Sequence, residues 1–154
     1  MSDLRTQLKD SLKAAMKAKD GIALSTVRLI LAALKDRDIA AREKGNTEGI
    51  DETEILGMLQ TMIKQRRESI ALYEQGGRVD LVEDEQREIE ILQRFLPRQM
   101  AESEIKVAVE AVVSEIEANC LRDMGRTMAE LRARHTGEMD FARAAELVKA
   151  KLSA

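Results

Sequence analysis

Residues 24–35 read Leu24-Ser25-Thr26-Val27-Arg28-Leu29-Ile30-Leu31-Ala32-Ala33-Leu34-Lys35. Leu24, Val27, Leu31 and Leu34 fall at 3–4–3 spacing, the seam of one helix packed on another. The pattern predicts a helix from about Leu24 to Arg42. The same periodicity extends in both directions. Leu4, Leu8, Leu12 and Met16 mark the expected buried face of a helix over Asp3 to Ala18, with Ser2 as its cap and Gly21 as its stop. Asp51 with Glu54 three residues on opens a helix that runs to about Glu74 and ends at Gly76-Gly77. A fourth helix is expected from Asp80 to Phe95. Pro97 stops it, because the residue before a proline is pushed out of the helical region.

Three shorter helices follow: Glu102 to Glu117, with Ile105, Val109, Val112 and Ile116 as its stripe; Met124 to Arg134, capped by Asp123; and Phe141 to Leu152, capped by Asp140. The expectation is an all-α protein, with an N-terminal four-helix domain at 1–97 and a three-helix domain at 98–154. Composition agrees. Of 154 residues, 44% are hydrophobic and 34% charged, enough for a core and a solvated surface, while aromatics are only 2%. Ala, Leu, Met, Glu, Lys and Arg carry the chain, and these are strong helix formers.

Several functions are disfavoured by what the chain contains. No apolar run approaches the roughly 20 residues of a membrane span. The first 20 residues have no apolar core of a secretion signal. Cys120 is the only cysteine and His135 the only histidine, which disfavours a Cys/His metal site and fits a reducing cytoplasm. No Gly-rich phosphate loop is present, and Ser25, Ser69 and Ser114 lack the sharp turn of an activated nucleophile. The expectation is a chain that needs no cofactor and no metal and is not catalytic alone.

Charge is unevenly spread. Residues 1–44 hold ten Lys/Arg against six Asp/Glu, net +4; residues 45–97 hold six against twelve, net −6. A basic end can bind an anionic partner although the whole chain is at −3. Arg5, Lys9, Lys13 and Lys17 stand four residues apart on the first helix. They read either as a ridge that tracks nucleic-acid phosphates or as a solvated helix face. Arg28 and Lys35 could extend that surface. A second group, Arg66 and Arg67, interrupts an apolar line on the third helix, as Glu85 and Glu88 do on the fourth. Folding those helices together at Gly76-Gly77 brings the four to one level. The expectation is an interhelical ion pair that fixes register. The acids of Asp80 to Glu85 suit a helix N-terminus.

Seven motifs lie in order: 15–20 (Ala-Met-Lys-Ala-Lys-Asp), 28–35, 64–69 (Lys-Gln-Arg-Arg-Glu-Ser), 73–81, 88–92, Phe95-Leu96-Pro97 and Asp123-Met124-Gly125-Arg126. Together they resemble the GatB/YqeY family, in particular its stand-alone YqeY-like proteins, over essentially the whole chain. The resemblance implies an all-helical N-terminal domain and a small C-terminal one. It also implies kinship with the tail of the B subunit of the tRNA-dependent amidotransferase, which helps to hold tRNA. The family label is carbon–nitrogen ligase with glutamine as amido-N-donor. Three functions stay open: a non-catalytic tRNA- or aminoacyl-tRNA-associated module, an amidotransferase-related enzyme whose catalytic body comes from a partner protein, and a protein–protein adaptor.

Overall fold

Seven α-helices and no strand are found among the described residues, 3–153, of the computed structural model. The chain forms two compact units, residues 1–96 and 97–154.

The first unit holds α1 (Leu4–Ala18), α2 (Gly21–Glu43), α3 (Glu52–Gln75) and α4 (Val79–Gln93). Helix α3 packs on α4, and α2 packs on both α1 and α4. Ser2, the expected cap of α1, lies outside the described residues. Asp3 caps the helix, its carboxylate accepting from the Thr6 N–H at 2.7 Å. Gly21 does not punctuate. Asp20 accepts from the Ala23 N–H, and α2 starts at Gly21, three residues before the expected start. A carboxylate that satisfies a free N–H at a helix start outweighs the cost of a first-turn glycine. Lys19 closes α1 in the left-handed region, with φ of 56°. At the far end of the unit, Arg78 N–H donates to Tyr73 C=O across Gly77, whose φ is +70°. That bond and angle make a glycine stop for α3.

The apolar line on α1 differs from expectation. Leu4 and Leu8 are buried, Leu12 is half-buried, and Met16 is 54% exposed; Ala15 is buried in its place. A four-residue step advances about 40° round a helix, so Met16 has turned about 120° from Leu4, whereas Ala15 has turned only about 20°. On α2 the fully buried side chains are Ala23, Thr26, Val27, Ile30 and Leu34, with Leu24 and Leu31 half-buried. This face is wider than the expected seam because α2 packs on two helices. Helix α4 ends at Gln93, and Arg94, Phe95 and Leu96 close it with i→i+3 bonds before Pro97.

Between α3 and α4, Arg66 Nε donates to Glu88 Oε2 at 2.9 Å, and Arg66 Nη1 donates to the Met62 C=O at 3.1 Å. The two side chains are 13% and 24% exposed. Glu85 is half-buried beside them. Burial raises its pKa, the Glu88 charge adds to that rise, and Arg66 opposes it. Arg67 is exposed and makes no ion pair among the described residues. Arg66 is therefore the cation that lets two acids sit in this seam.

The second unit holds α5 (Glu102–Glu115), a 3-10 turn at Leu121–Asp123, α6 (Met124–Arg134) and α7 (Phe141–Ser153). Its core gathers Ile105, Val109, Val112, Leu131, Ala144 and Val148 from all three helices, with Met139 from the α6–α7 loop. Helix α5 stops at Glu115, and Glu117, with φ of 55°, turns the chain. Asp140 caps α7, accepting from the Ala142 and Arg143 N–H groups. Asp123 makes no side-chain cap for α6. Its carboxylate turns back to accept from the Asn119 N–H at 2.9 Å and pairs with Arg126 at 3.1 Å, fixing the loop before the helix.

Replacing Arg66 with Met leaves Glu85 and Glu88 facing each other at low exposure. The expected loss is about 2 kcal/mol, between the limits for exposed and buried pairs. Arg67→Met is expected to change stability by under about 0.5 kcal/mol. Chemical denaturation of the two variants checks this; equal losses would contradict the assignment.

Candidate nucleic-acid interface

Helix α1 runs back along α2, and one contact fixes how they lie. The Arg5 guanidinium donates from Nη1 to Asp38 Oδ2 and from Nη2 to Asp38 Oδ1, both at 2.8 Å. Arg5 Nη2 also donates to the Ile50 C=O at 3.0 Å, and the Ile50 N–H donates to Asp38 Oδ1 at 2.9 Å. Three segments thus meet at one charge pair: the start of α1, the end of α2 and the loop before α3. Gly49 makes the approach possible. Its φ is +94°, and a Cβ there would stand 2.7 Å from both Arg5 Nη2 and Asp38 Oδ1. The two hydrogen bonds from Arg5, with the Ile50 N–H, hold the Asp38 pKa down at about 2.

This contact takes Arg5 out of the expected ridge and into the fold. The other three members also do not form a straight line. Lys9, Lys13 and Lys17 are exposed, but each step of four turns the row by about 40°. From the Arg5 direction, which faces α2, Lys9 has turned about 40° and Lys13 about 80°, while Lys17 has turned about 120° and points away from the α1–α2 seam. On α2, Arg28 and Lys35 are exposed, and by the winding of the helix they stand about 80° and 60° from Asp38, away from the buried face. Arg42, also exposed, completes a seven-residue repeat with them that drifts only about 20° per step. The Arg42 charge acts on Asp38, which places it at the same side of the helix. Antiparallel register set by Arg5 and Asp38 puts Lys9 about level with Lys35.

The resulting face has Lys9 and Lys13 on one helix and Arg28, Lys35 and Arg42 on the other. None of these five takes part in an ion pair among the described residues. Arg42 was missed in the sequence reading, although the repeat Arg28–Lys35–Arg42 carries the signal. Asp38 and Gly49 were missed because a contact across 33 residues leaves no local pattern.

Elsewhere, Cys120, His135 and Glu104 each stand close to a charged neighbour. Cys120 Sγ lies 3.7 Å from Asp123 Oδ2. That carboxylate is held at a pKa of about 2 by the Asn119 N–H and Arg126, so it is a poor base for the thiol. His135 Nδ1 is 3.6 Å from Glu138 Oε2, at the rim of an open groove of about 460 Å³ between α5 and the end of α6. Glu104, the acid that lines the groove, is paired with Arg98. Among the described residues no group of three or more His, Cys, Asp and Glu could hold a metal ion, and no helix is long and apolar enough to cross a membrane.

An all-helical chain of two units with this sequence has known relatives. The family described as Yqey-like protein matches residues 5–152, and the chain belongs to it. It is similar to proteins named "Altered inheritance of mitochondria protein 41, mitochondrial". The one from Lachancea thermotolerans is 32% identical over 130 residues, which is 84% of this chain and 64% of that protein. The one from Eremothecium gossypii is 34% identical over 120 residues, 76% of this chain and 63% of that protein. The one from Kluyveromyces lactis is 38% identical over 88 residues, 57% and 45% of the two chains. The chain thus spans less than two thirds of the length of these relatives.

The Asp38 charge sets a pH dependence. Its folded pKa is depressed, so its contribution is present above the unfolded value near 3.8 and lost as pH falls toward about 2. Both side chains keep a quarter to a third of their exposure, which screens the pair. Asp38→Asn is expected to cost about 1–2 kcal/mol at neutral pH, with the difference from the parent closing between pH 4 and about 2. Thermal unfolding across that range checks it; a difference independent of pH would show that the carboxylate charge is not what holds the contact.

Proposed function

We propose that this chain is a non-catalytic helical module that associates with tRNA or aminoacyl-tRNA through the basic face of α1 and α2. One observation carries the reading: Lys9, Lys13, Arg28 and Lys35 are exposed on neighbouring helices with no acidic partner among the described ion pairs. Membership of the YqeY-like family supports it, as does the resemblance to the tail of the amidotransferase B subunit. Phosphate contacts from such cations give affinity without base readout, so sequence preference should be slight.

The enzymatic alternative is a carbon–nitrogen ligase with glutamine as amide donor. It needs a partner protein to bring the catalytic body, since the Asp123 carboxylate beside the Cys120 thiol is a poor base for it. The adaptor alternative draws on Leu72 and Val79, 67% and 65% exposed near the tip of the α3–α4 hairpin. A reducing compartment suits the lone Cys120. We assign the work to the cytoplasm, or to the interior of a mitochondrion if this chain follows the relatives whose names carry that organelle.

Filter binding of total tRNA over a salt series tests the reading. The expected slope of log affinity against log salt is about −3 to −4, for four or five neutralised phosphates. Changing Lys9 and Lys13 together to Gln should lower its magnitude by about 1.5 units while the helical circular dichroism stays the same. No binding at low salt would favour the adaptor reading. Glutamine-dependent ammonia release lost on mutating this chain would favour the enzyme.

A further inference from the structure

We infer that the ligand of the α1–α2 face is the phosphate backbone of double-helical RNA, gripped between two cationic rows: Lys9 and Lys13 on α1, and Arg28, Lys35 and Arg42 on α2. The inference rests on the RNA-binding reading above and narrows it to a class of RNA and a set of residues.

Three observations carry it. The first is the arrangement of the cations. Arg28, Lys35 and Arg42 repeat every seven residues, about 10.5 Å apart along α2, so the outer two are separated by about 21 Å. Lys9 and Lys13 form a second row across the seam. Both rows stand on helices tied together by Arg5, Asp38 and Ile50. A fixed two-row array of cations matches a fixed two-strand array of phosphates. A flexible single strand would have to be ordered at each contact.

The second observation is the absence of a stacking platform. The three aromatics are Tyr73, Phe95 and Phe141. Phe95 and Phe141 pack against the two cores, and Tyr73 is half-buried near the end of α3. None lies on α1 or α2. Proteins that hold single strands rely on stacking bases on aromatic rings, and this face offers none. Double-helical RNA hides its bases and presents phosphates and 2′-hydroxyls across a shallow groove.

The third is the sign of the face. Asp38 lies on it, and Arg5 neutralises that charge with two hydrogen bonds. Asp3, at the start of α1, is within electrostatic reach of Lys9, and Asp10 stands about 60° round α1 from Lys13; the five cations outnumber these two acids. Asp36 and Glu43 lie about 80–120° round α2 from Lys35 and Arg42. On α1, Lys17 has wound about 80° past Lys9, away from the seam, and falls outside the grip.

The test uses the full chain and two labelled RNAs with the same number of phosphates. One is a hairpin whose stem is longer than the roughly 21 Å between Arg28 and Arg42; the other is an unstructured oligouridylate. Fluorescence anisotropy gives both affinities. The hairpin should bind at least about fivefold more tightly than the single strand. Lys9→Gln, Lys35→Gln and Arg42→Gln should each weaken hairpin binding about fivefold near 0.15 M salt, and Lys17→Gln less than about twofold. Equal binding of the two RNAs overturns the duplex assignment. An Arg42→Gln variant that binds like the parent, or a Lys17→Gln variant that loses as much as Lys9→Gln, overturns the two-row assignment. Displacement of the hairpin by polyglutamate of equal charge would assign the face to an acidic protein surface instead. If the parent binds tRNA but not the hairpin, this inference fails and the RNA-binding reading stands; if it binds no RNA, both fail.

Discussion

Everything proposed for α1 and α2 depends on the contact among Arg5, Asp38 and Ile50. Two helices with exposed lysines make a surface only if their register is fixed, and apolar contacts alone slide easily. A guanidinium fork on a carboxylate does not, because both hydrogen bonds are lost on a small shift. Here the fork is backed by the Ile50 carbonyl, and the carboxylate by the Ile50 N–H. Gly49 is the residue that lets the loop come that close. The contact also neutralises the Asp38 charge, which would otherwise oppose a phosphate on this face.

The ion pairs of the fold draw on arginine rather than lysine. Among the described residues every ion pair uses an arginine or His135, and no lysine is paired. Arginine suits fixed contacts to more than one acceptor: Arg5 on Asp38 and the Ile50 C=O, Arg66 on Glu88 and the Met62 C=O, and, at the surface, Arg143 on Glu102 and Glu146. Lysine is a point charge on a flexible stem, strongly hydrated and costly to immobilise. Lys9, Lys13 and Lys35, and with them Arg28 and Arg42, are in no ion pair among the described residues and remain available to a polyanion. An RNA partner would use them without disturbing the pairs that hold the helices.

Helix content was legible because periodicity and composition agreed, and the span of α6 was read to the residue. The positions that failed did so for definable reasons. Met16 was expected inside because a four-residue line was taken as straight; the winding of the helix puts Ala15 there instead. Asp20 was overlooked as a cap because Gly21 looked like the stronger punctuation. Met139 is fully buried but sits in a loop, where no helical period marks it. Of the candidate site, Lys9 and Lys13 were legible from their four-residue spacing, and Arg28 and Lys35 only as basic residues in the positively charged stretch 1–44. The diversion of Arg5 could not, since its partner lies 33 residues away. The neighbourhood of Arg66 and Glu88 was readable because charges interrupt apolar lines on two helices joined by a short turn.

The claim at the centre of this account is that the outer side of the α1–α2 seam is where RNA meets the protein. Amide chemical-shift mapping during a tRNA titration tests it without altering a residue. Shifts are expected to concentrate at residues 9–16 of α1 and 28–42 of α2, with residues 102–153 and the α3–α4 turn around Gly76-Gly77 unmoved. Shifts centred on Leu72 and Val79, or on α5 to α7, would contradict it.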